Sequence, residues 1–217
     1  MANYVIHACE SRMWYVNDYL LPSLHDQGIS DTRVYCDTKN VGCLESCMSI
    51  FSHMPADGGA WHIQDDVVIS RDFRKKTEKY SGEDIVCGFV FEKDESLRYD
   101  GYVVPKRMWW SFPCIYIPNR YARECAQWYY KEARFKREYA DWVKAKKFDD
   151  AFFKEFMKLH YPNWYVLNLK PNLVDHVDYL IGGSVINGTR NYPQTRAVYF
   201  NDTDIVDSLE LELKNRV

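Results

Sequence analysis

The sequence carries little net charge, because 28 Lys and Arg residues nearly balance 31 Asp and Glu residues, which gives a formal charge of −3. This balance excludes a strong overall attraction to nucleic acid or to an anionic membrane, so a polyanionic partner would have to meet a local basic patch. The chain also lacks an apolar run long enough to span a bilayer. Because its start lacks the basic and then apolar pattern of a signal peptide, we expect a cytoplasmic protein.

Cysteine pairs at metal-binding spacing are absent as well. The seven cysteines include no C-x-x-C pair, and neither His nor a second Cys pair follows Cys43 and Cys47 at the spacing of a zinc finger. Several cysteines stand inside apolar runs, as Cys36 and Cys87 do. We therefore expect reduced thiols that pack as small hydrophobic groups, and no zinc site.

The composition is that of an ordinary globular protein, with 47% hydrophobic and 27% charged residues, and 217 residues fit one domain. Strand-like and helix-like patterns alternate at the start, with strands near 4–8, 33–36 and 60–64 and helices near 12–24 and 44–54. This order predicts an α/β fold with a mainly parallel central sheet flanked by helices. Farther along we expect a strand near 84–91, loops and antiparallel strands over 98–118, helices over 120–147 and 151–160, and an irregular tail from 170.

The stretch AWHIQDDVVIS, residues 60–70, places Asp65 and Asp66 at the end of a predicted buried strand. Ligands of parallel sheets bind outside the carboxyl ends of the strands, so we expect this pair to share a cleft with Asp37, which ends the preceding strand. Adjacent carboxylates repel each other and need solvent or a positive partner. The alternatives are a solvated turn or helix start, a carboxylate pair for acid–base catalysis, and a site for a hard cation.

Six short motifs, in their order and spacing, resemble GT-A nucleotide-sugar glycosyltransferases, most closely the small bacterial and phage-encoded members. They read YVIHACESR, RVYCDTKNVGC, WHIQDDVVISRDF, FPCIYIPNRYA, KKFDDAFFKEF and PNLVDHVDYLIGGS. The resemblance covers nearly the whole chain and implies one GT-A-like (Rossmann-like) domain over residues 1–217. A nucleotide-binding half would span about 1–95, and an acceptor-side half with a small antiparallel extension about 96–217. The implied activity is metal-dependent transfer of a sugar from a nucleotide-sugar donor to a hydroxyl acceptor, either a glycan or a modified base of phage DNA.

The same resemblance implies roles for single residues. The family's D-x-D metal motif reads Gln64-Asp65-Asp66 here, which implies that Asp66 binds the metal and that Asp65 contacts the ribose or a metal-bound water. His176 matches the histidine that completes the metal sphere, and Asp150 matches the base of inverting members. The residues implied to bind the nucleotide are Asp37 at the base or ribose, and Arg12 and Ser184 at the phosphates.

A metal at this position would neutralise the diphosphate leaving group as a Lewis acid. Carboxylates with one neutral imidazole suit Mn²⁺ better than Mg²⁺, which prefers oxygen ligands alone, so we expect Mn²⁺ or else Mg²⁺ as the cofactor. The alternatives to these roles are a histidine satisfied within the fold at His176 and a helix N-cap at Asp150.

The sequence leaves undecided whether a basic segment binds nucleic acid, and it allows two other function classes. Residues 131–147 mix aromatic residues with Lys131, Arg134, Lys136, Arg137, Lys144, Lys146 and Lys147, which would suit DNA, although Glu132, Glu138 and Asp141 favour a solvated helix face. One other class is a nucleotidyltransferase, which usually brings an early glycine-rich phosphate loop that HACESRMWYV lacks. The other is a non-catalytic carbohydrate- or protein-binding module on a degenerate transferase fold.

Overall fold

The structure, a computed structural model, describes residues 3–90, 101–103, 112–146, 148–183, 196–197 and 199–215. The strands are β1 Asn3–Cys9, β2 Thr32–Asp37, β3 Gly59–Gln64, β4 Val67–Ile69, β5 Ile85–Cys87, β6 Gly101–Val103, β7 Cys114–Pro118, β8 Val166–Asn168 and β9 Val174–His176. The helices are α1 Met13–Tyr15, α2 Leu21–Asp26, α3 Cys43–Ser52, α4 Phe73–Thr77, α5 Asn119–Lys131, α6 Ala140–Ala145, α7 Asp149–His160 and α8 Thr203–Asn215. A π-helical segment, Val16–Leu20, joins α1 to α2. None of the helices in these residues has the length and apolar character needed to cross a bilayer.

The described residues form a seven-stranded sheet in the order β2-β1-β3-β7-β5-β8-β6. The parallel pairs are β1 with β2, β1 with β3, and β5 with β8, whereas β7 and β6 run antiparallel to their neighbours. Five of the seven strands therefore point the same way. A second, two-stranded antiparallel sheet pairs β4 with β9. The predicted α/β class, with a mainly parallel sheet and a small antiparallel extension, is confirmed.

Both faces of the sheet are covered, because successive side chains of each strand point to opposite faces. On β1, Val5 packs with α3, α5 and α7, and Tyr4 and Ile6 pack on the other face with α2, α4 and α8. The helices thus bury apolar stripes against a sheet that is apolar on both sides, as expected for strands joined by helical crossovers. The carboxyl ends of β1, β2 and β3 stay open at one edge.

The predicted helices and strands of residues 1–70 are found within a few positions of their expected ends. The prediction of an irregular tail is wrong for α8. Its Ile205, Val206 and Leu209 recur at helical spacing and pack against the sheet face that carries Tyr4 and Ile6. Asp204 in the first turn and Lys214 in the last suit the helix dipole. These signals are local and were present in the sequence, although Gly182-Gly183 and Pro193 upstream pointed to irregular structure.

Candidate functional site

A cleft of about 300 Å³ opens at the carboxyl ends of β1, β2 and β3. It is lined by His7, Ala8, Cys9, Arg12, Asp37, Asn40, Gly42, Cys43, Ser46, Gln64, Asp65, Asp66, Ala145, Lys146 and Asp149. β1 runs parallel to both neighbours, with Cys9 opposite Asp37 and His7 opposite Gln64. This register brings together the strand ends that the sequence predicted to converge, and a strand-end cleft is where parallel sheets bind ligands.

Arg12 lies between the two aspartates of the acidic pair. Its Nη1 donates to Asp65 Oδ1 at 3.0 Å and also to Asp66 Oδ2, and its Nη2 donates to the Gly183 carbonyl oxygen at 2.7 Å. All three side chains are buried, with Arg12 only 6% exposed. The positive partner that two adjacent buried carboxylates require is therefore a guanidinium from the short helical turn after β1.

Hydrogen bonds fix the pair from further sides. The Cys9 backbone N–H donates to Asp65 Oδ2 at 2.7 Å. Pairing of β4 with β9 sets His176 opposite Val67, which brings its Nε2 to 3.1 Å from Asp66 Oδ2 and its Nδ1 to 3.4 Å from Asp178 Oδ1. Asp65, Asp66, Arg12 and His176, all singled out in the sequence, thus form one cluster.

The opposite charges of the cluster offset the cost of burying each ionised side chain. Burial acts to raise the pKa of Asp66, but His176 and Arg12 hold that pKa well below its usual range. Burial acts to lower the pKa of His176, and contact with the Asp66 carboxylate outweighs it, so the pKa of the imidazole is raised. Asp65 has a raised pKa, because burial and the neighbouring Asp66 charge outweigh Arg12. The cluster therefore holds opposite charges in balance.

The arrangement does not fit a divalent ion between the aspartates. Asp65 Oδ1, Asp65 Oδ2 and Asp66 Oδ2 already accept hydrogen bonds, so only the buried Asp66 Oδ1 accepts none from the described residues. In the described ranges no group of three or more His, Cys, Asp or Glu side chains is arranged to hold a metal ion. An ion that bridged the two carboxylates would need the place that Arg12 Nη1 takes, where a guanidinium already supplies the positive charge. Asp66 and His176 as metal ligands, with Mn²⁺ or Mg²⁺ as cofactor, stay a prediction.

Asp37 organises the loop that forms one wall of the cleft. Its Oδ1 accepts from the Val41 N–H at 2.9 Å, and its Oδ2 accepts from the Gly42 N–H at 2.8 Å, just before α3 begins. Lys146 closes the same wall from the far side, because its Nζ donates to the Asn40 carbonyl oxygen at 2.8 Å. Asp37 thus has a structural role, and its carboxylate also faces the cleft.

Replacing Gly42 by alanine is expected to lower the free energy of unfolding by about 2–4 kcal/mol. Gly42 has φ +95°, and an added Cβ would lie 2.3 Å from Lys146 Cβ and 2.6 Å from the Lys146 carbonyl oxygen. The matched control is Gly58→Ala, because Gly58 has φ +78° and open space around it, so only backbone strain of about 1–2 kcal/mol is expected. Urea denaturation of both variants measures the difference, and equal losses would contradict the clash.

The acidic pair at the start of α7 presents Asp149 to the cleft, whereas Asp150 lies outside its lining. Asp149 is buried, and burial raises its pKa. The nearby Cys43 thiol, which also lines the cleft, donates to the Lys146 carbonyl oxygen at 3.4 Å. Burial and the Asp149 charge together raise the pKa of Asp150 to about 7. The Asp150 carboxylate accepts the N–H of the next residue, but Phe148 is the N-cap of α7, so the alternative of a helix N-cap at Asp150 is wrong. The base role of Asp150 stays a prediction, and Asp149 is the neighbour that sequence reasoning missed.

Asp150→Asn is expected to stabilise the protein at pH 8 by about 2 kcal/mol and to leave stability at pH 4 nearly unchanged. With a pKa of about 7 when folded and an ordinary pKa when unfolded, Asp150 binds more protons in the folded state between these values. Stability therefore falls as pH rises through this window, and asparagine removes the charge that causes the fall. Denaturation midpoints measured from pH 4 to 8 test this, and parallel pH curves for wild type and variant would contradict it.

Two further predicted features have different outcomes. Ser184 lies outside the described residues, so its phosphate role stays a prediction. The predicted basic helix is instead the end of α5, two 3₁₀ turns (Ala133–Phe135 and Arg137–Tyr139) and α6. Its described cations Lys131, Arg134, Lys136, Arg137, Lys144 and Lys146 are exposed, as is Phe135 at 75%.

His7, which lines the cleft, and His62, which contacts His7 from below, were not singled out in the sequence. His7 Nε2 and His62 Nδ1 are 2.8 Å apart, and burial lowers the pKa of His7 to about 4 and that of His62 well below its usual range. Both imidazoles are therefore neutral at pH 7, and His7 lines the floor of the cleft. Their positions on predicted neighbouring strands were the only signal of this contact.

No family model matches the chain, and no curated protein matches it either. Solved structures do match. GlyE, a glycosyltransferase of Streptococcus pneumoniae TIGR4, is 11% identical with a TM-score of 0.43, and the match covers 78% of this chain and 45% of GlyE. A197 from STIV is 16% identical over 81% of this chain and 84% of its own, with a TM-score of 0.41. The inositol-1-phosphate CTP transferase of T. maritima is 8% identical over 100% and 98%, with a TM-score of 0.44. Similarity at this level carries no argument about activity.

Proposed function

We propose that this protein is a glycosyltransferase that moves a sugar from a nucleotide-sugar donor to a hydroxyl acceptor. The observation that carries the proposal is the cleft at the ends of three parallel strands. This cleft combines the Asp37 carboxylate, the buried Arg12 guanidinium and the Asp149 carboxyl group. The order of the six sequence motifs supports the same conclusion. The cleft also lies where doubly wound sheets bind nucleotides, outside the carboxyl ends of the parallel strands.

The donor end of the cleft would be the wall formed by Asp37 and the residues before α3. Both Asp37 oxygens accept backbone N–H groups and keep a second lone pair for a ribose hydroxyl. Lys146 at the rim of the cleft would supply positive charge near the diphosphate, whereas the charge of Arg12 is compensated by Asp65 and Asp66. Ser184 belongs to this proposal as a further phosphate contact.

The acceptor end would be at Asp149. In an inverting transfer the acceptor oxygen attacks the anomeric carbon, its proton passes to a carboxylate base, and the bond between the sugar and the diphosphate breaks with its electrons on the leaving oxygen. Burial raises the pKa of Asp149 above the usual aspartate range, which makes its carboxylate a stronger base than that of an exposed aspartate. Asp150 remains the competing candidate for this proton.

Calorimetric titration with UDP, GDP, CDP, ADP, dTDP and the corresponding nucleotide sugars tests the donor site. We expect one base to bind with micromolar affinity and Asp37→Asn to weaken binding about tenfold or more, since the amide donates where the carboxylate only accepts. The matched control is Asp207→Asn, an exposed aspartate of α8 away from the cleft. If none of these nucleotides binds, the proposal is wrong.

Turnover separates this function from its two competitors. A glycosyltransferase releases nucleoside diphosphate from a nucleotide sugar, a nucleotidyltransferase releases pyrophosphate from a nucleoside triphosphate and a sugar phosphate, and a binding module releases neither. We expect nucleoside diphosphate, detected by coupled assay with oligosaccharide acceptors. For a DNA acceptor, the exposed cations of residues 131–146 would give binding that weakens steeply with salt, and a flat salt response would leave a glycan as the acceptor.

A further inference from the structure

Two buried carboxylates at the end of β3 have one partner that reaches both. The Arg12 guanidinium bonds to Asp65 and Asp66 through Nη1, and its Nη2 bonds to the Gly183 carbonyl oxygen. These three partners stand 53, 54 and 171 residues from Arg12 along the chain. The guanidinium therefore ties together the end of β1, the link from β3 to β4, and the chain after β9.

An ion that bridged the two carboxylates would need the position between them. Three of the four carboxylate oxygens already accept hydrogen bonds from Arg12, Cys9 or His176, and Arg12 Nη1, which contacts both aspartates, takes that position. An ion could enter only if Arg12 left both aspartates and the Gly183 carbonyl. That step would strand a guanidinium that is now only 6% exposed.

The charges lead to the same conclusion. The two aspartates are compensated by Arg12, and His176 approaches Asp66 to 3.1 Å on its other side. A divalent cation would add two positive charges beside a fixed guanidinium, and repulsion between like charges is strong where water is excluded. A guanidinium also supplies directed donors that match carboxylate geometry, so it fills this position with both charge and hydrogen bonds.

We propose that Arg12 stands in place of a divalent ion as the counter-charge of Asp65 and Asp66, so that ligands bind in the cleft without divalent metal. The inference that ligands bind without divalent metal rests on the proposed nucleotide function. The counter-charge role of Arg12 does not depend on that function. Arg12 is here a positioning residue that holds the carboxylates at the floor of the cleft.

The first test uses Mn²⁺ alone and needs no nucleotide. We expect millimolar Mn²⁺ to leave the Tm of the wild type unchanged within about 1 °C, and to raise the Tm of Arg12→Ala by about 5 °C or more, because two uncompensated carboxylates then bind the ion. Arg12→Lys keeps the charge but not the two-pronged donor, so Mn²⁺ should raise its Tm by less than that of Arg12→Ala and by more than that of the wild type. If Arg12→Ala does not fold, an Arg12→Lys whose Tm responds to Mn²⁺ no more than the wild type overturns the assignment.

Arg196→Ala is the matched control for this test. Arg196 also bonds to a buried aspartate, Asp175, which is the one carboxylate it pairs with among the residues that the structure describes, so its removal leaves no pair of adjacent carboxylates there. We expect Arg196→Ala to lose stability without any gain from Mn²⁺. A Tm increase of the wild type with Mn²⁺, or an Arg12→Ala that ignores it, would overturn the assignment of Arg12 as the substitute counter-charge.

The second test repeats the nucleotide titration in excess EDTA and in Mn²⁺. The nucleoside diphosphate that binds should have the same Kd in both within about twofold. A Kd at least about tenfold tighter in Mn²⁺ overturns metal-independent binding and leaves the proposed function standing. Failure of every nucleotide in both conditions rejects the proposed function and metal-independent binding together, while the Tm test still decides the role of Arg12.

Discussion

Replacing Arg12 by alanine is expected to lower the free energy of unfolding by about 3–5 kcal/mol, the usual cost of breaking a buried ion pair by removing one partner. Arg12 is buried with both aspartates, and its removal leaves Asp65 and Asp66 adjacent, buried and without their shared cation. The Gly183 carbonyl oxygen also loses its donor. Urea denaturation at pH 7 measures this loss, with the exposed Arg71→Ala as control, for which a much smaller loss is expected because solvent screens its ion pairs.

A compensated variant separates the lost attraction from the stranded charges. Arg12→Met combined with Asp65→Asn and Asp66→Asn removes the cation and both anions while keeping similar volumes. Since most of the cost comes from uncompensated carboxylates, the triple variant should be more stable than Arg12→Met alone by about 1–3 kcal/mol. If Arg12→Met is as stable as the wild type, or if the triple variant is the least stable of the series, the cluster does not stabilise the fold in the way described.

The convergence of the strand ends was predictable because it needs only local patterns and one rule of topology. Asp37 and Asp65 each end an apolar strand, and parallel strands joined by helices expose their carboxyl ends on the same edge. Short crossovers leave little freedom in how the first three strands pair, and the structure pairs β1 with both β2 and β3. The convergence of these strand ends therefore followed from residues 1–70 alone, whereas the wall that Ala145, Lys146 and Asp149 add to the cleft did not.

The partner of the acidic pair was not predictable in the same way. Arg12 was expected to contact phosphate, and the structure instead turns it toward Asp65 and Asp66. Its direction depends on the turn after β1 and on a carbonyl group 171 residues away, neither of which leaves a pattern in the sequence. The pairing of β4 with β9, which brings His176 to Asp66, is equally long-range. A motif shows which residue types are present, but tertiary contacts decide which charged side chains form ion pairs with each other.

The choice between Asp149 and Asp150 shows how a single helical step can change an interpretation. Successive residues of an α-helix point about 100° apart, so only one of two adjacent side chains at a helix start can face a given cleft. The sequence shows the two adjacent aspartates but not which of them faces the cleft. The backbone before α7 decides this, because Phe148 has φ +71° and turns the chain into the helix so that Asp149 lies in the cleft near Cys43. Asp149 is then the nearer base for an acceptor in the cleft.

Asp149→Asn is expected to lower kcat by about 10²–10³-fold with little change in the Kd of the nucleotide, because the amide cannot take the proton of the acceptor hydroxyl. Asp150→Asn should lower kcat by less than about threefold. Initial rates and pH–rate profiles of both variants, with the nucleotide sugar that binds, measure the difference. The wild-type rate should fall as Asp149 becomes protonated, in a limb that lies above the ordinary aspartate range because burial raises its pKa. A large loss in Asp150→Asn and a small one in Asp149→Asn would assign the base to Asp150, as the family likeness implied, and would mean that α7 turns by one residue when the acceptor binds.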